Sequence, residues 1–241
     1  MENRGFNIKD NVLRGSRTLF WLKVNFVFVL LLTFLVVLFS WTFGFIDFMN
    51  PEKFFAVDML SLSMMLLFIS GVFLFTFSFF IVFIYWIAWF YRASANVRTF
   101  AKTSFSPFIA VLCSLIPFFG IVFHYLILKE LVRETELFLM DRRISLTFVK
   151  QKSIKAWFVL ALLGSVSYFT HRFYVTEFLT TSLWLCSLAF YISFFSGFAR
   201  YEKALFDFSQ DEIIKAKVEA VLRTRDIEKQ RNQEGDESPI L

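Results

Sequence analysis

Charge is what this sequence is short of. Only 19% of its 241 residues are Asp, Glu, Lys or Arg, whereas an average soluble domain is about one quarter charged. Five stretches carry no such residue at all: Val24–Ile46, Met59–Tyr91, Thr103–Leu128, Ala156–His171 and Phe178–Ala199. A water-exposed surface cannot be built from such stretches, which excludes an ordinary soluble domain. Cysteine is almost as scarce. Cys113 and Cys186 both lie inside apolar runs, so neither a disulfide framework nor a cysteine metal cluster is expected, and each reads as a small buried hydrophobe. Histidine occurs twice, at His124 and His171, with no partner at metal-ligand spacing. There is no phosphate-binding glycine loop, no serine elbow and no HExxH pair. Nor does any run hold a carboxylate pair or a base beside a nucleophile. No catalytic residue, cofactor or metal ligand is therefore expected, and the chain is not read as an enzyme.

What is present is apolar and aromatic. Hydrophobic residues make up 57% of the chain, Phe alone accounts for 37 positions, and the mean hydropathy is +0.61. Phe is nearly as favourable as Leu at the centre of a membrane helix. The composition predicts an all-α integral membrane protein. The first run, 23 residues long, exceeds the 7–15 of a signal-peptide core and is expected to stay as the first membrane helix. The net charge of +5 sits in the connecting segments, where it reads as a topology signal and a contact for anionic headgroups. Nucleic acid is not an expected partner.

The topology follows from the distribution of Lys and Arg. Residues 1–23 hold five, 92–102 hold three, 129–155 hold seven and 200–241 hold eight, while 47–58 and 172–177 hold one each. If all five runs crossed the membrane, basic segments would fall on both sides. If the third run enters and leaves on one side, 23 of the 25 basic residues share that side, as cytoplasmic segments do. Four transmembrane helices are then expected, at about 24–46, 59–91, 154–171 and 178–199, with a re-entrant helical hairpin at 104–131 and both termini cytoplasmic. A proline-kinked crossing helix is the alternative for that third run.

The third run has its own reason to turn back. Pro117 lacks an N–H and clashes with the carbonyl four residues earlier. Gly120 can supply the positive φ of a tight turn. About 11 residues flank the break on each side, roughly 16 Å of helix, which is half a bilayer. Residues 129–155 are expected to prolong the exit helix, with Leu131, Leu137, Phe138 and Met140 available to an interfacial face. Residues 1–23 form a cytoplasmic segment and 24–200 the membrane domain. From 201 to 230 a cytoplasmic amphipathic helix is predicted, with Ser209 and Glu212 at capping-box spacing and Ile214, Val218, Val221 and Leu222 on one face. The residues from 231 to 241 are expected to be disordered.

Polar residues gather where these elements meet. Arg92 and Asn96, one helical turn apart, follow the aromatic residues Tyr85, Trp86, Trp89 and Tyr91 and are expected at the cytoplasmic mouth of the hairpin, as braces for its open backbone or as holders of a lipid phosphate. His124 lies inside the hairpin's exit arm, where an ionisable group invites a functional reading, although a lone histidine packed against its neighbours is the commoner case. With Tyr125 and Glu130 these form the candidate polar site.

The stretch "WFYRASANVRTF", followed by "SPFIAV" and "IPFFGIVFHYLILKEL", resembles the bacterial membrane family of unknown function DUF4328, over residues from about 55 to 200. Members of that family read Trp-x-x-Arg-Ala-x-x-Asn, then Ser-Pro-x-x-Ala, then Ile-Pro-x-x-Asn-x-x-Arg-Pro-Tyr and Glu-Leu. Trp89, Arg92, Ala93 and Asn96 fit the first part, Ser106, Pro107 and Ala110 the second, and Ile116, Pro117, Tyr125, Glu130 and Leu131 the third. This chain departs from the pattern at Gly120, Phe123 and His124, where the family has Asn, Arg and Pro. The resemblance implies the topology and leaves the activity open. The expected function is that of a non-enzymatic binding or scaffold module of the bacterial inner membrane, with membrane lipids as partners and a protein partner conceivable through the C-terminal helix. The alternatives are a channel or transporter for a small molecule or lipid, and a lipid-modifying membrane enzyme.

Overall fold

A computed structural model describes residues 8–43, 59–117, 119–144, 151–169 and 174–236. Among these are six helices and no strand: α1 (Val12–Phe43), α2 (Met59–Val97), α3 (Pro107–Leu115), α4 (Phe119–Asp141), α5 (Gln151–Phe169) and α6 (Tyr174–Asp236). The all-helical class is as the sequence predicts. Three helices contain stretches long and apolar enough to cross a membrane, at Val12–Leu38, Leu66–Val97 and Leu179–Lys229. The predicted crossing at 154–171 corresponds to α5, 19 residues long with Lys152 and Lys155 in its first turns, and is not one of the three.

Several boundaries differ from those read off the charges. Helix α1 starts at Val12, well before 24, because charge on an outward face does not interrupt a helix. Asp10 Oδ1 accepts the Val12 N–H at 2.8 Å, which meets one of the donors that a helix start leaves open, and the Asn11 carbonyl takes the first helical bond, from the Gly15 N–H at 2.8 Å. From there Asn11, Gly15, Thr18, Leu22 and Asn25 form a narrow buried stripe, while Arg17 and Lys23 face outward. Helix α2 likewise runs on past 91 and carries Arg92 and Asn96 in its last turns.

Helix α6 is continuous over 63 residues, about 95 Å at 1.5 Å per residue. The predicted crossing helix and the predicted C-terminal helix are thus one element. Ser209 and Glu212 lie inside it and cap nothing; the Ser209 hydroxyl is buried without a partner. Residues 231–236, expected to lack structure, continue the helix, and 237–241 lie outside the described residues. Ile214, Val218, Val221 and Leu222 are all exposed.

Helices α1, α2 and α6 pack side by side. Helix α5 lies along α6 and against α4, and α3 lies against α2 and α4. The buried residues are concentrated towards one end of this bundle. Trp89 and Phe90 from α2, Leu128 and Leu131 from α4, and Phe194, Phe195, Phe198 and Leu205 from α6 are all at most 2% exposed. Away from that end the helices present apolar side chains outward: Leu30, Leu31 and Phe34 on α1, and Phe73, Phe77, Phe80 and Ile84 on α2. Soluble monomers seldom expose so large an apolar surface.

Helices α3 and α4 form an antiparallel hairpin whose ends are set by local chemistry. Ser106 is the N-cap of α3, its Oγ accepting the Ile109 N–H at 3.3 Å, and Pro107 occupies the first helical position, where its missing N–H costs nothing. At the other end Ile116 is extended (φ −67°, ψ 124°), since Pro117 disfavours the helical region for the residue before it. The chain re-enters a helix at once: the Gly120 N–H reaches the Ile116 carbonyl at 2.6 Å. The expected positive φ at Gly120 is not what the turn uses. Gly120 is helical, and a Cβ there would stand 2.5 Å from the Ser114 carbonyl oxygen. It is the missing side chain that allows the two arms to meet. Of the four α4 residues assigned to an interfacial face, Leu137 and Met140 are exposed, whereas Leu131 is buried and Phe138 packs on Phe100 and Phe208. The helix ends in a Schellman turn, with Arg143 at φ 58° and the Ile144 N–H bonded to the Leu139 carbonyl at 3.0 Å.

Candidate functional site

Two buried polar networks organise the packed end of the bundle. The first is centred on His124 of α4, which is 6% exposed. Its Nε2 lies 3.1 Å from the Tyr191 hydroxyl of α6 and its Nδ1 lies 3.3 Å from Ser114 Oγ of α3. Trp86 Nε1 of α2 donates to the Tyr191 hydroxyl at 2.9 Å, and Ser114 Oγ donates to the Ala110 carbonyl at 2.9 Å. The two ends fix the direction of the chain. A carbonyl only accepts, so the Ser114 proton is spent on Ala110, and its oxygen is left to accept from His124 Nδ1–H. His124 Nε2 is then the acceptor for the Tyr191 O–H, whose oxygen accepts the indole N–H. One neutral tautomer satisfies every member. The rings of Trp86, Phe90, Trp157 and Tyr191 surround the imidazole at centroid distances of 4.8–5.8 Å. A single side chain thereby touches all the helices except α1.

The second network centres on Glu202 of α6, also 6% exposed. Trp89 Nε1 donates to its Oε2 at 2.5 Å and Asn11 Nδ2 to its Oε1 at 2.6 Å. Asn11 Nδ2 also reaches the Trp89 carbonyl at 3.2 Å. This cluster ties the start of α1 to α2 and α6. Asn11 Oδ1 is left buried without a donor.

The predicted polar residues are placed as follows. Asn96 is buried and faces the N-terminal segment: its Oδ1 accepts the Lys9 N–H at 3.1 Å and its Nδ2 donates to the Lys9 carbonyl at 2.9 Å. Arg92 forms no hydrogen bond or ion pair among the described residues, and its Nε is buried without a partner. The mouth of the hairpin is held by Glu130, whose Oε1 accepts from both Ser104 N–H at 2.8 Å and Ser104 Oγ at 2.9 Å. Tyr125 stacks on Phe158, with ring centroids 4.3 Å apart and planes at 17°. His124, Tyr125 and Glu130 thus serve the hairpin and its contact with α5 and α6, whereas Asn96 is bonded to the segment before α1. Pro117 and Gly120 lie where α3 gives way to α4, with the Gly120 N–H bonded to the Ile116 carbonyl at 2.6 Å. No group of three or more His, Cys, Asp or Glu residues able to hold a metal occurs among the described residues.

Sequence reasoning missed Glu202, Asn11 and Tyr191. A signal for Glu202 exists in the helical spacing of Phe194, Phe198, Tyr201, Leu205 and Ser209, which prolongs the buried face of α6 beyond its apolar run. In the stretch Trp-x-x-Arg-Ala-x-x-Asn, the buried members Trp89, Ala93 and Asn96 share a face, and Arg92 stands beside it.

The fold and these networks define an all-helical protein with several helices of membrane-spanning length. The chain belongs to the family described as Domain of unknown function (DUF4328), whose family model matches residues 54–196. No curated protein and no solved structure matches the chain. The match takes in α2 to α5 and the first part of α6; Asn11 and Glu202 lie outside it.

Proposed function

We propose that this chain is a multi-pass protein of the bacterial inner membrane that acts as a non-enzymatic binding or scaffold module. It has four crossings, by α1, α2, α5 and the first part of α6, and both termini are cytoplasmic. The α3–α4 hairpin enters from the cytoplasmic side and returns to it. The observation that carries this reading is the pairing of Ser104 with Glu130. It brings together the two ends of the uncharged run Thr103–Leu128, so that the basic segments 92–102 and 129–155 leave the hairpin at one end. Helix α3, nine residues long, spans about 14 Å, less than half of the ~30 Å hydrocarbon core. Backbone that turns within the membrane is tolerated where protein shields its polar groups, and α2 and α4 pack against one face of α3, at the buried Ala110 and Val111.

The test is cysteine accessibility in a Cys113→Ser, Cys186→Ser background. Single cysteines at Ser145 and Ser238 are expected to react with a membrane-impermeant maleimide only after cells are permeabilised, and one at Glu52 to react in intact cells. Labelling of Ser145→Cys from outside would replace the hairpin by a kinked crossing helix. The binding role is read from what co-purifies after mild detergent extraction.

A further inference from the structure

Between α4 and α5 lies an open cleft of about 120 Å³. Its floor is apolar, formed by Val132, Ile154 and the buried Phe194, with Tyr125 at one end. Its rim is basic: Lys129, Arg133 and Lys155 line it, and no Asp or Glu does. Lys129 and Lys155 are exposed and form no hydrogen bond or ion pair among the described residues. Arg133 is held only by its neighbour Glu134, at 2.7 and 3.0 Å in a solvent-facing pair, and such pairs are weak enough to be exchanged for a better anion.

The position of the two lysines selects the kind of anion. Lys129 is the first charge after the run Thr103–Leu128, and Lys155 is the last before Ala156–His171. The hairpin and α5 therefore bring two boundaries between apolar and charged sequence into one cleft, with cations at one end and aromatic surface at the other. A hydrated soluble anion gains nothing from the apolar floor. An amphiphile with a phosphate and an acyl chain satisfies both ends. We infer that this cleft holds the headgroup of an anionic phospholipid, with its phosphate at Lys129, Lys155 and Arg133 and the beginning of its acyl chain over Tyr125 and Phe194. The inference rests on the membrane reading above and adds a ligand and a site to it.

The experiment uses full-length protein in uncharged detergent, with phosphatidylglycerol, phosphatidylcholine and inorganic phosphate as probes. Phosphatidylglycerol is expected to raise the melting temperature and to stay bound in native mass spectra; the other two are not. The Lys129→Gln/Lys155→Gln variant, read against its own melt without lipid, should lose that rise. Its affinity for phosphatidylglycerol should fall about fivefold per lysine, from the attraction of one basic residue to an anionic lipid surface. Lys215→Gln/Lys217→Gln, on the exposed part of α6, should respond like the parent chain. The charge reversal Lys155→Glu, at an exposed position, provides the same reading if the double variant does not fold. An equal rise with inorganic phosphate would assign the cleft to a soluble anion, and an undiminished phosphatidylglycerol response in both cleft variants would move the lipid elsewhere; either overturns the inference. Alkaline washing of membranes keeps the two readings apart. If the parent chain is released by the wash, the membrane reading itself fails; if it stays while the lipid responses are absent, only the cleft assignment fails.

Discussion

Trp89 Nε1 donates a hydrogen bond to Glu202 Oε2 at 2.5 Å, across 113 residues of sequence. The pair lies where α1, α2 and α6 converge, and Asn11 completes it from the third helix. Glu202→Ala would leave the Trp89 indole N–H buried without an acceptor and Asn11 Nδ2 with only the Trp89 carbonyl, at about 1–3 kcal/mol of stability. Glu202→Gln should cost less but not zero, because one arm of an amide presents a donor to a donor. Trp89→Phe removes one donor and some packing. The two sites share one bond, so the Trp89→Phe/Glu202→Ala double variant should be destabilised by less than the sum of the single variants. Denaturation in detergent measures all four proteins, and strict additivity would mean that the bond contributes nothing.

Around His124 the prediction is an order of effects. Tyr191→Phe deletes a hydroxyl that serves two partners, the His124 nitrogen and the Trp86 indole. Ser114→Ala deletes one that serves His124 and a carbonyl already bonded within its helix. Hydrogen bonds of this kind in membrane proteins average about 0.6 kcal/mol and reach about 1.7. Tyr191→Phe should lie near the upper value and Ser114→Ala near the lower. The same network requires the proton on Nδ1, which nitrogen NMR of labelled histidine reads directly. A proton on Nε2 would make His124 donate to the Tyr191 oxygen and accept from Ser114 Oγ, which would have to give up the Ala110 carbonyl, so the chain from Trp86 to Ala110 would not hold as described.

The glycines separate the turn from ordinary packing. A Cβ on Gly120 would stand 2.5 Å from the Ser114 carbonyl oxygen, a backbone atom that cannot move away alone, whereas one on Gly15 would meet Trp89 at 3.5 Å, an ordinary contact. Gly120→Ala should therefore lower the melting temperature clearly. Gly15→Ala should be neutral or mildly stabilising, since alanine favours the helix by up to about 1 kcal/mol. Equal effects would show that the arms of the hairpin do not approach as closely as this.

How far the sequence carries can be judged from particular residues. The hairpin is legible because its signals are local: Ser106 and Pro107 start one arm and Pro117 ends it, whatever surrounds them. The outward apolar faces of α1 and α2 are legible from hydropathy alone. Glu202 is not. Cutting the chain at charges treats every carboxylate as a mark of water, yet here a protein interior supplies the donors. The continuity of α6 is hidden for the same reason, because Arg200, Glu202 and Lys203 end the uncharged run Phe178–Ala199 and so divide one helix into a crossing and a cytoplasmic part. Glu130, and not Arg92, closes the mouth of the hairpin, because the closing contact is a short loop hydrogen bond whose partner, Ser104, lies 26 residues earlier.

Asn96 and Arg92 permit a test by contrast on adjacent turns of α2. Asn96 exchanges two hydrogen bonds with the backbone of Lys9, and this is what holds the chain before α1 against the end of α2. Asn96→Ala leaves an N–H and a carbonyl of Lys9 unmet and should cost about 1–2 kcal/mol, at the lower end for partly buried groups. Asn96→Asp keeps an acceptor for the Lys9 N–H but sets a carboxylate against the Lys9 carbonyl, so it should not rescue stability. Arg92 has a buried Nε with no acceptor, so Arg92→Met keeps the packing of the stem and removes an unmet donor. It should be neutral or stabilising in detergent, whereas a brace would make it as costly as Asn96→Ala. Limited proteolysis ahead of α1 provides the second reading. Asn96→Ala should expose the Lys9 bond to trypsin and Arg92→Met should leave it protected, and the reverse pattern would return the bracing role to Arg92.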